Sequence, residues 1–143
     1  GIRIMEAHEN YTQQHQDIRT ENDVEYGDKL KFINFEYAKK LTAVNAIVMA
    51  SLAWGPAPPT DVAIGGIVQP AAKFKWEKSA DAIGYKIYWR DTTSPTWDYS
   101  RYVGNEDAFL LNGIVIDNYF FGVAAVGKDG HESVVVFPSA TFR

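Results

Sequence analysis

The sequence predicts a mainly β protein: a small antiparallel β-sandwich over residues 56–143, preceded over residues 1–55 by a strand, a long polar loop and a helix. Three observations carry this. Apolar and polar residues alternate in "AAKFKWEK", "GYKIYWR" and "NYFFGVAAV", the period of half-buried strands. From Phe35 to Trp54 the apolar residues recur instead at helical spacing. Between the two regimes lies "GPAPPTD", where Pro56, Pro58 and Pro59 make a stiff, extended connector at the expected domain boundary.

At the start of the chain, Ile2, Ile4 and Glu6 alternate with Arg3 and Met5, which suits a short strand. The polar stretch "EAHENYTQQHQDIRTENDVEYGDK" then reads as one long loop. Loops beyond about 12–15 residues in a compact domain are usually functional or disordered. Tyr11 and Tyr26 are aromatic anchors that favour the ordered, functional case.

The helix that follows has about five turns. Asn34 is placed to cap it, Glu36 sits in the first turn where the helix dipole favours a carboxylate, and Gly55-Pro56 is a stop signal. Tyr37, Leu41, Val44, Val48 and Leu52 form an apolar stripe. Apolar patches of that size seldom stay exposed. The stripe is expected to pack on the sandwich or on a second copy, giving a homodimer through the helix.

In the second half, Ala72, Phe74 and Trp76 share a face opposite Lys73, Lys75 and Glu77. Tyr85, Ile87 and Trp89 do the same against Lys86, Tyr88 and Arg90, and Tyr119, Phe121, Val123 and Ala125 make a third apolar row. A Lys128-Asp129-Gly130 turn and a Val-rich strand ending at Pro138 complete a hairpin. Short strands separated by turn signals point to a sandwich.

Bulk properties exclude several functions. The 143 residues, 46% hydrophobic and 22% charged, are ordinary for a globular protein of one or two small domains. A net charge of -4, with no Lys/Arg cluster larger than Lys39-Lys40, argues against nucleic acid. The apolar run Ala46 to Trp54 is far short of the roughly 20 residues that span a bilayer, so no membrane span is expected. The absence of cysteine excludes disulfides and zinc–thiolate sites, leaving His, Asp and Glu for any metal. The opening "GIRIME" has neither an initiator Met nor a signal sequence, and is expected to belong to a fragment whose targeting signal was removed or lies upstream.

From about Thr60 to Phe142 the chain resembles a fibronectin type III domain. The residues that carry the resemblance are Trp76 in the second strand, "GYKIYWR" as the third, Leu111 before the penultimate strand, and Tyr119 at the tyrosine-corner position. An aromatic layer between two sheets is the physical basis of that set. Such modules act as spacers, docking surfaces or adhesion modules, so the fold does not give the function. Trp97 and Tyr99 in "SPTWDYSRY" are either an exposed sugar- or protein-binding platform or, more in keeping with aromatic residues generally, packed beneath a loop.

Residues 1–55 resemble the C-terminal end of the catalytic domain of aminopeptidase Y-type zinc peptidases, clan MH, family 28: last strand, histidine loop and final helix of an α/β zinc peptidase domain. The resemblance implies a role for His15, because the last zinc ligand of that family is a histidine in this loop. It further implies two zinc ions in the intact parent, bridged by an aspartate and a water, with a glutamate as general base. The remaining ligands and the base would lie in an upstream catalytic domain, peptide would be the substrate, and the helix stripe would cover that domain's sheet. Exported members commonly carry a trailing β-sandwich, which implies a secreted, periplasmic or cell-envelope location. Several relatives have tyrosine immediately before the ligand histidine to stabilise the tetrahedral intermediate. Gln14 stands there instead, so Tyr11 or an upstream residue would have to substitute.

On its own chemistry, a lone histidine in a polar loop is more often a surface residue than a ligand, since zinc needs three or four converging donors. With the resemblance, His15 is expected to be a ligand in the parent, while the fragment alone holds no zinc and is inactive. Asp17 is a candidate acceptor for the other imidazole N–H, or else a turn-stabilising aspartate. His8, Glu6, Glu9 and His131 are expected to be ordinary polar residues. The alternative for the whole chain is a non-catalytic adhesion or protein-binding module with a helical adaptor.

Overall fold

The computed structural model describes residues 4–5, 8–66 and 70–142. The chain forms two compact units, Gly1–Val48 and Met49–Arg143, the division falling within the helix.

In the first unit, β1 (Arg19–Glu21) pairs antiparallel with β2 (Val24–Tyr26) in the register Arg19↔Tyr26, Thr20↔Glu25 and Glu21↔Val24. Asn22 and Asp23 make the connection with φ of 48° and 61°, the two left-handed residues of a type I′ turn. The stretch expected to be one long loop therefore contains a hairpin. Its signal was the Asn-Asp pair, two residue types that tolerate left-handed backbone, set between short extended segments. The Arg19 guanidinium lies 4.1 Å over the Tyr26 ring, and Glu25 accepts hydrogen bonds from both Lys29 and Lys31. Of the strand expected at the start, Ile2, Arg3 and Glu6 lie outside the described residues, and Ile4 and Met5 join no ladder.

Helix α1 (Phe35–Trp54) starts and stops where its signals stand. The Asn34 side-chain oxygen accepts the Tyr37 N–H at 3.0 Å, and the Gly55 N–H closes on Ser51 O at 3.2 Å. No α1 residue is buried. Ile47 and Met49, 66% and 70% exposed, extend the apolar surface beyond the expected stripe.

Among its described residues the second unit holds seven strands: β3 (Thr60–Gly65), β4 (Ala71–Glu77), β5 (Gly84–Asp91), β6 (Tyr99–Gly104), β7 (Ala108–Asn112), β8 (Tyr119–Val126) and β9 (Ala140–Thr141). They make a four-stranded sheet in the order β7-β4-β3-β9 and a three-stranded sheet in the order β6-β5-β8. Neighbours are antiparallel except β3 and β9, which run parallel. This is a fibronectin type III-like sandwich. The alternation read in the sequence is the burial pattern observed: Ala72, Phe74, Trp76, Tyr85, Ile87, Leu111, Phe121, Val123 and Ala125 form the core, with Trp89 and Tyr119 packed against it.

An aromatic layer fills the space between the sheets, with Trp76 and Tyr85 rings 5.3 Å apart and Phe74 and Phe121 rings 5.4 Å apart. Burial of each such side chain contributes roughly 1.5–3 kcal/mol. Tyr119 packs on Phe121 at 6.2 Å, but among the described residues its hydroxyl makes no hydrogen bond, so it fills the corner by packing alone. Trp97 is half-buried between Tyr88 and Phe137, at 5.8 and 5.3 Å, and Tyr99 stacks on Trp89 at 5.5 Å. Trp97 is thus packed, whereas Tyr99, stacked on Trp89, remains 54% exposed.

The Val-rich segment after the Gly127–His131 turn departs from a regular strand. Val123 and Val136 exchange both backbone hydrogen bonds at 2.9 Å, whereas Val126 pairs with Glu132, so the register slips by one residue between them. A bulge at Val134–Val135 absorbs the slip, and β9 then continues on the opposite sheet.

Candidate functional site: the His15 turn

His15 ends a turn that begins at Asn10. The Asn10 carbonyl accepts the N–H groups of Gln13 and Gln14, each at 3.1 Å, and its side-chain oxygen accepts the Thr12 N–H at 3.1 Å and the Thr12 hydroxyl at 2.7 Å. Asparagine is suited to this, because its side chain reaches the backbone two residues on. These bonds stop at Gln14. The His15 N–H goes instead to Asp28 Oδ2 at 3.2 Å, and its φ is 54°, in the left-handed region.

A second bond ties the same segments: Gly27 N–H donates to Thr12 O at 3.2 Å. Gly27 is buried with φ of 114°, and a Cβ there would stand 2.9 Å from Ile18 Cγ1. Only glycine lets the chain approach this closely and so brings Asp28 to His15.

The His15 side chain is exposed, and among the described residues no hydrogen bond engages its ring. Beside the turn lies a cleft of ≈ 700 Å³ lined by Glu9, Asn10, Gln13, Gln14, Asp28 and Phe32, among others. Gln14 thus faces the cleft. Tyr11 donates its hydroxyl to Glu9 at 2.8 Å, and that hydrogen bond, with the carboxylate's charge, holds the phenol above its ordinary pKa. Asp17 is exposed, and its backbone carbonyl accepts from Arg19 at 3.5 Å. His8 is exposed, Glu6 lies outside the described residues, and His131 packs against Trp54 with ring centroids 5.2 Å apart. The residue brought to His15 is therefore Asp28, with Asn10 organising the turn up to Gln14, and sequence reasoning singled out neither. The Gly27-Asp28 pair after an aromatic residue was the available signal.

Fold and turn together define a modular chain: a fibronectin type III-like sandwich joined by a helix to a segment carrying one exposed, backbone-clasped histidine. No protein-family model matches it. Its sequence is 38% identical over 141 residues to a "Probable zinc metalloprotease" of Pyrenophora tritici-repentis, covering 96% of this chain and 29% of that protein. A "Probable zinc metalloprotease" of Phaeosphaeria nodorum is 37% identical over 143 residues, with the same 96% and 29% coverage. One from Pyricularia oryzae is 31% identical over 145 residues. The chain thus spans less than a third of the length of these curated relatives. Among solved structures it is similar to a Fn3-like protein from Clostridium thermocellum, with a TM-score of 0.49 and 18% identity over 57% of this chain and 86% of that one. It is also similar to the FN5 domain of Drosophila Lar, with a TM-score of 0.45 and 21% identity over 57% and 91%.

The donor chemistry at His15 fits one ligand of a zinc site. A neutral imidazole with an unengaged ring is a suitable ligand. Among the described residues, however, no group of three or more His, Asp or Glu side chains could hold a metal ion. Any zinc held by His15 would need its other donors from residues beyond these.

Proposed function

We propose that this chain is the C-terminal part of an exported zinc-dependent aminopeptidase. Residues 1–55 end its catalytic domain, and residues 56–143 form an accessory sandwich for docking or binding. The observation that carries the proposal is the exposed His15, in a turn whose Gln13 and Gln14 line a cleft, in a chain 38% identical over 96% of its length to a protein named a zinc metalloprotease.

In this reading His15 supplies one imidazole ligand and the upstream catalytic domain supplies the rest. When bound, a zinc pair supplies a water of lowered pKa and polarisation of the scissile carbonyl. This chain's own residues orient and delimit. Asn10 and Asp28 fix the turn, and Gln14 lines the cleft wall. Tyr11, its hydroxyl engaged by Glu9, stays protonated and would have to release that carboxylate before it could donate to a substrate oxygen. The apolar surface of α1 is covered by the upstream catalytic domain, and the protein is secreted or held in the periplasm or cell envelope.

Zinc stoichiometry of the full-length protein, with His15→Ala beside it, tests the reading. Two zinc ions in the parent, one of them lost in the variant, are expected. Hydrolysis of peptides with a free N-terminus and no cleavage of N-acetylated ones would identify an aminopeptidase. The isolated 143 residues should show no chelator-sensitive activity. The second reading, a non-catalytic binding module, draws on the lack of a three-donor group among the described residues. Full-length protein without stoichiometric zinc would favour it.

A further inference from the structure

Left-handed backbone is costly for a residue with a side chain, and it persists only where neighbouring structure holds it. At His15, with φ of 54°, the holding contact is the bond from its N–H to Asp28 Oδ2, spanning thirteen residues. The turn's local bonds end one residue earlier, at Gln14. Asp28 is itself delivered by Gly27, whose N–H bonds to Thr12 O on the same turn and whose missing Cβ allows contact with Ile18.

We propose that Asp28 is the positioning residue for His15. Its carboxylate fixes the main-chain conformation from which the imidazole leaves the turn, and thereby the direction of the ring. The proposal rests on the reading of His15 as a zinc ligand. It differs from the role considered for Asp17 in the sequence, a direct acceptor for the ring N–H or else a turn-stabilising aspartate. Asp28 works on the backbone, so its effect needs an acceptor oxygen and not a charge.

The test uses the full-length protein loaded with zinc. Zinc affinity is measured by competition with a chromophoric chelator, and hydrogen exchange is followed in the peptide containing His15. Asp28→Ala should weaken zinc by about 10–100-fold, the range for residues that orient a ligand from behind. It should also speed exchange at His15. Asp28→Asn keeps an acceptor oxygen at the same reach and should stay within about three-fold of wild type, as should Asp17→Ala. Asp28→Ser, whose hydroxyl stops one bond short, provides the same contrast if the alanine variant does not fold. If His15→Ala loses zinc but Asp28→Ala and Asp28→Ser keep wild-type affinity, Asp28 has no positioning role while the ligand reading stands. An Asn variant as weak as the Ala variant would also overturn the proposal, because it would make charge the operative property. If zinc is unchanged in His15→Ala, both ideas fall.

Discussion

Lys86 Nζ stands 2.9 Å from Glu132 Oε1, and the Tyr88 hydroxyl donates to the other oxygen of the same carboxylate. Two residues of β5 thus grip the segment that follows the Gly127–His131 turn, immediately before the bulge.

Loss of that carboxylate should loosen the end of the sandwich. Glu132→Gln is expected to destabilise the protein by about 1 kcal/mol at pH 7, the net worth of a partly buried hydrogen bond. The pH dependence has a definite sign. Hydrogen bonding to Glu132 raises the Lys86 pKa above its ordinary 10.5, while burial first and the Glu132 bond second raise that of Tyr88 above 10.0. The folded state therefore holds these protons more tightly than the unfolded chain. The contribution is complete below the ordinary values and is lost as pH rises through the folded ones. Urea melts of wild type and Glu132→Gln should differ at pH 7 and converge on the alkaline side.

Glu25 should behave in the opposite sense. Hydrogen bonds from Lys29 and Lys31 hold its carboxyl below the ordinary 4.5. Its contribution is present above the ordinary value and is lost as pH falls through the lowered folded one. Amides of β1 and β2 should therefore lose exchange protection on acidification, after correction for intrinsic rates. Glu25→Gln should produce the same loss at neutral pH.

Gly122 is a packing requirement. A Cβ there would stand 2.3 Å from Val135 Cγ1 and 3.3 Å from the Trp97 ring. Gly122→Ala should cost about 1–3 kcal/mol, the usual range for overpacking, read as a lower thermal midpoint. Adding Val135→Ala should recover part of the loss, since it removes the nearest contact and leaves those with Val136 O at 3.2 Å and the Trp97 ring.

Trp54, the last residue of α1, packs on His131 with rings 5.2 Å apart at 47°. Trp54→Ala should lower the stability of the sandwich by about 0.5–1.5 kcal/mol, and Trp54→Phe by less, measured by chemical denaturation. Equal stability of all three proteins would show that the ring contact carries nothing.

Much of the fold was legible because its signals are local. The face shared by Ala72, Phe74 and Trp76 follows from the two-residue period of a strand, and all three are buried. Asn34 and Gly55 bound α1 because capping depends on residues within one turn. The β1–β2 hairpin is faint in the sequence because its turn lacks an Asn-Gly or Asp-Gly pair, the stronger signals for a two-residue loop. The bulge at Val134–Val135 left no mark in the sequence, because an unbroken run of valines suits a regular strand and a bulged one equally.

The candidate site divides along the same line. His15 was singled out by residue type and by resemblance. What holds it was not, because the Asp28 contact spans thirteen residues and no spacing rule connects them.

By itself, the sequence determined a sandwich with an aromatic core, a capped helix and one histidine in a polar segment, since periodicity, capping and composition act within a few residues. Only the tertiary structure decided where β9 pairs, how the valine segment bulges, and that the Asp28 carboxylate accepts the His15 backbone N–H. Those outcomes depend on which distant backbone groups come within hydrogen-bonding distance, and packing of the whole chain settles that.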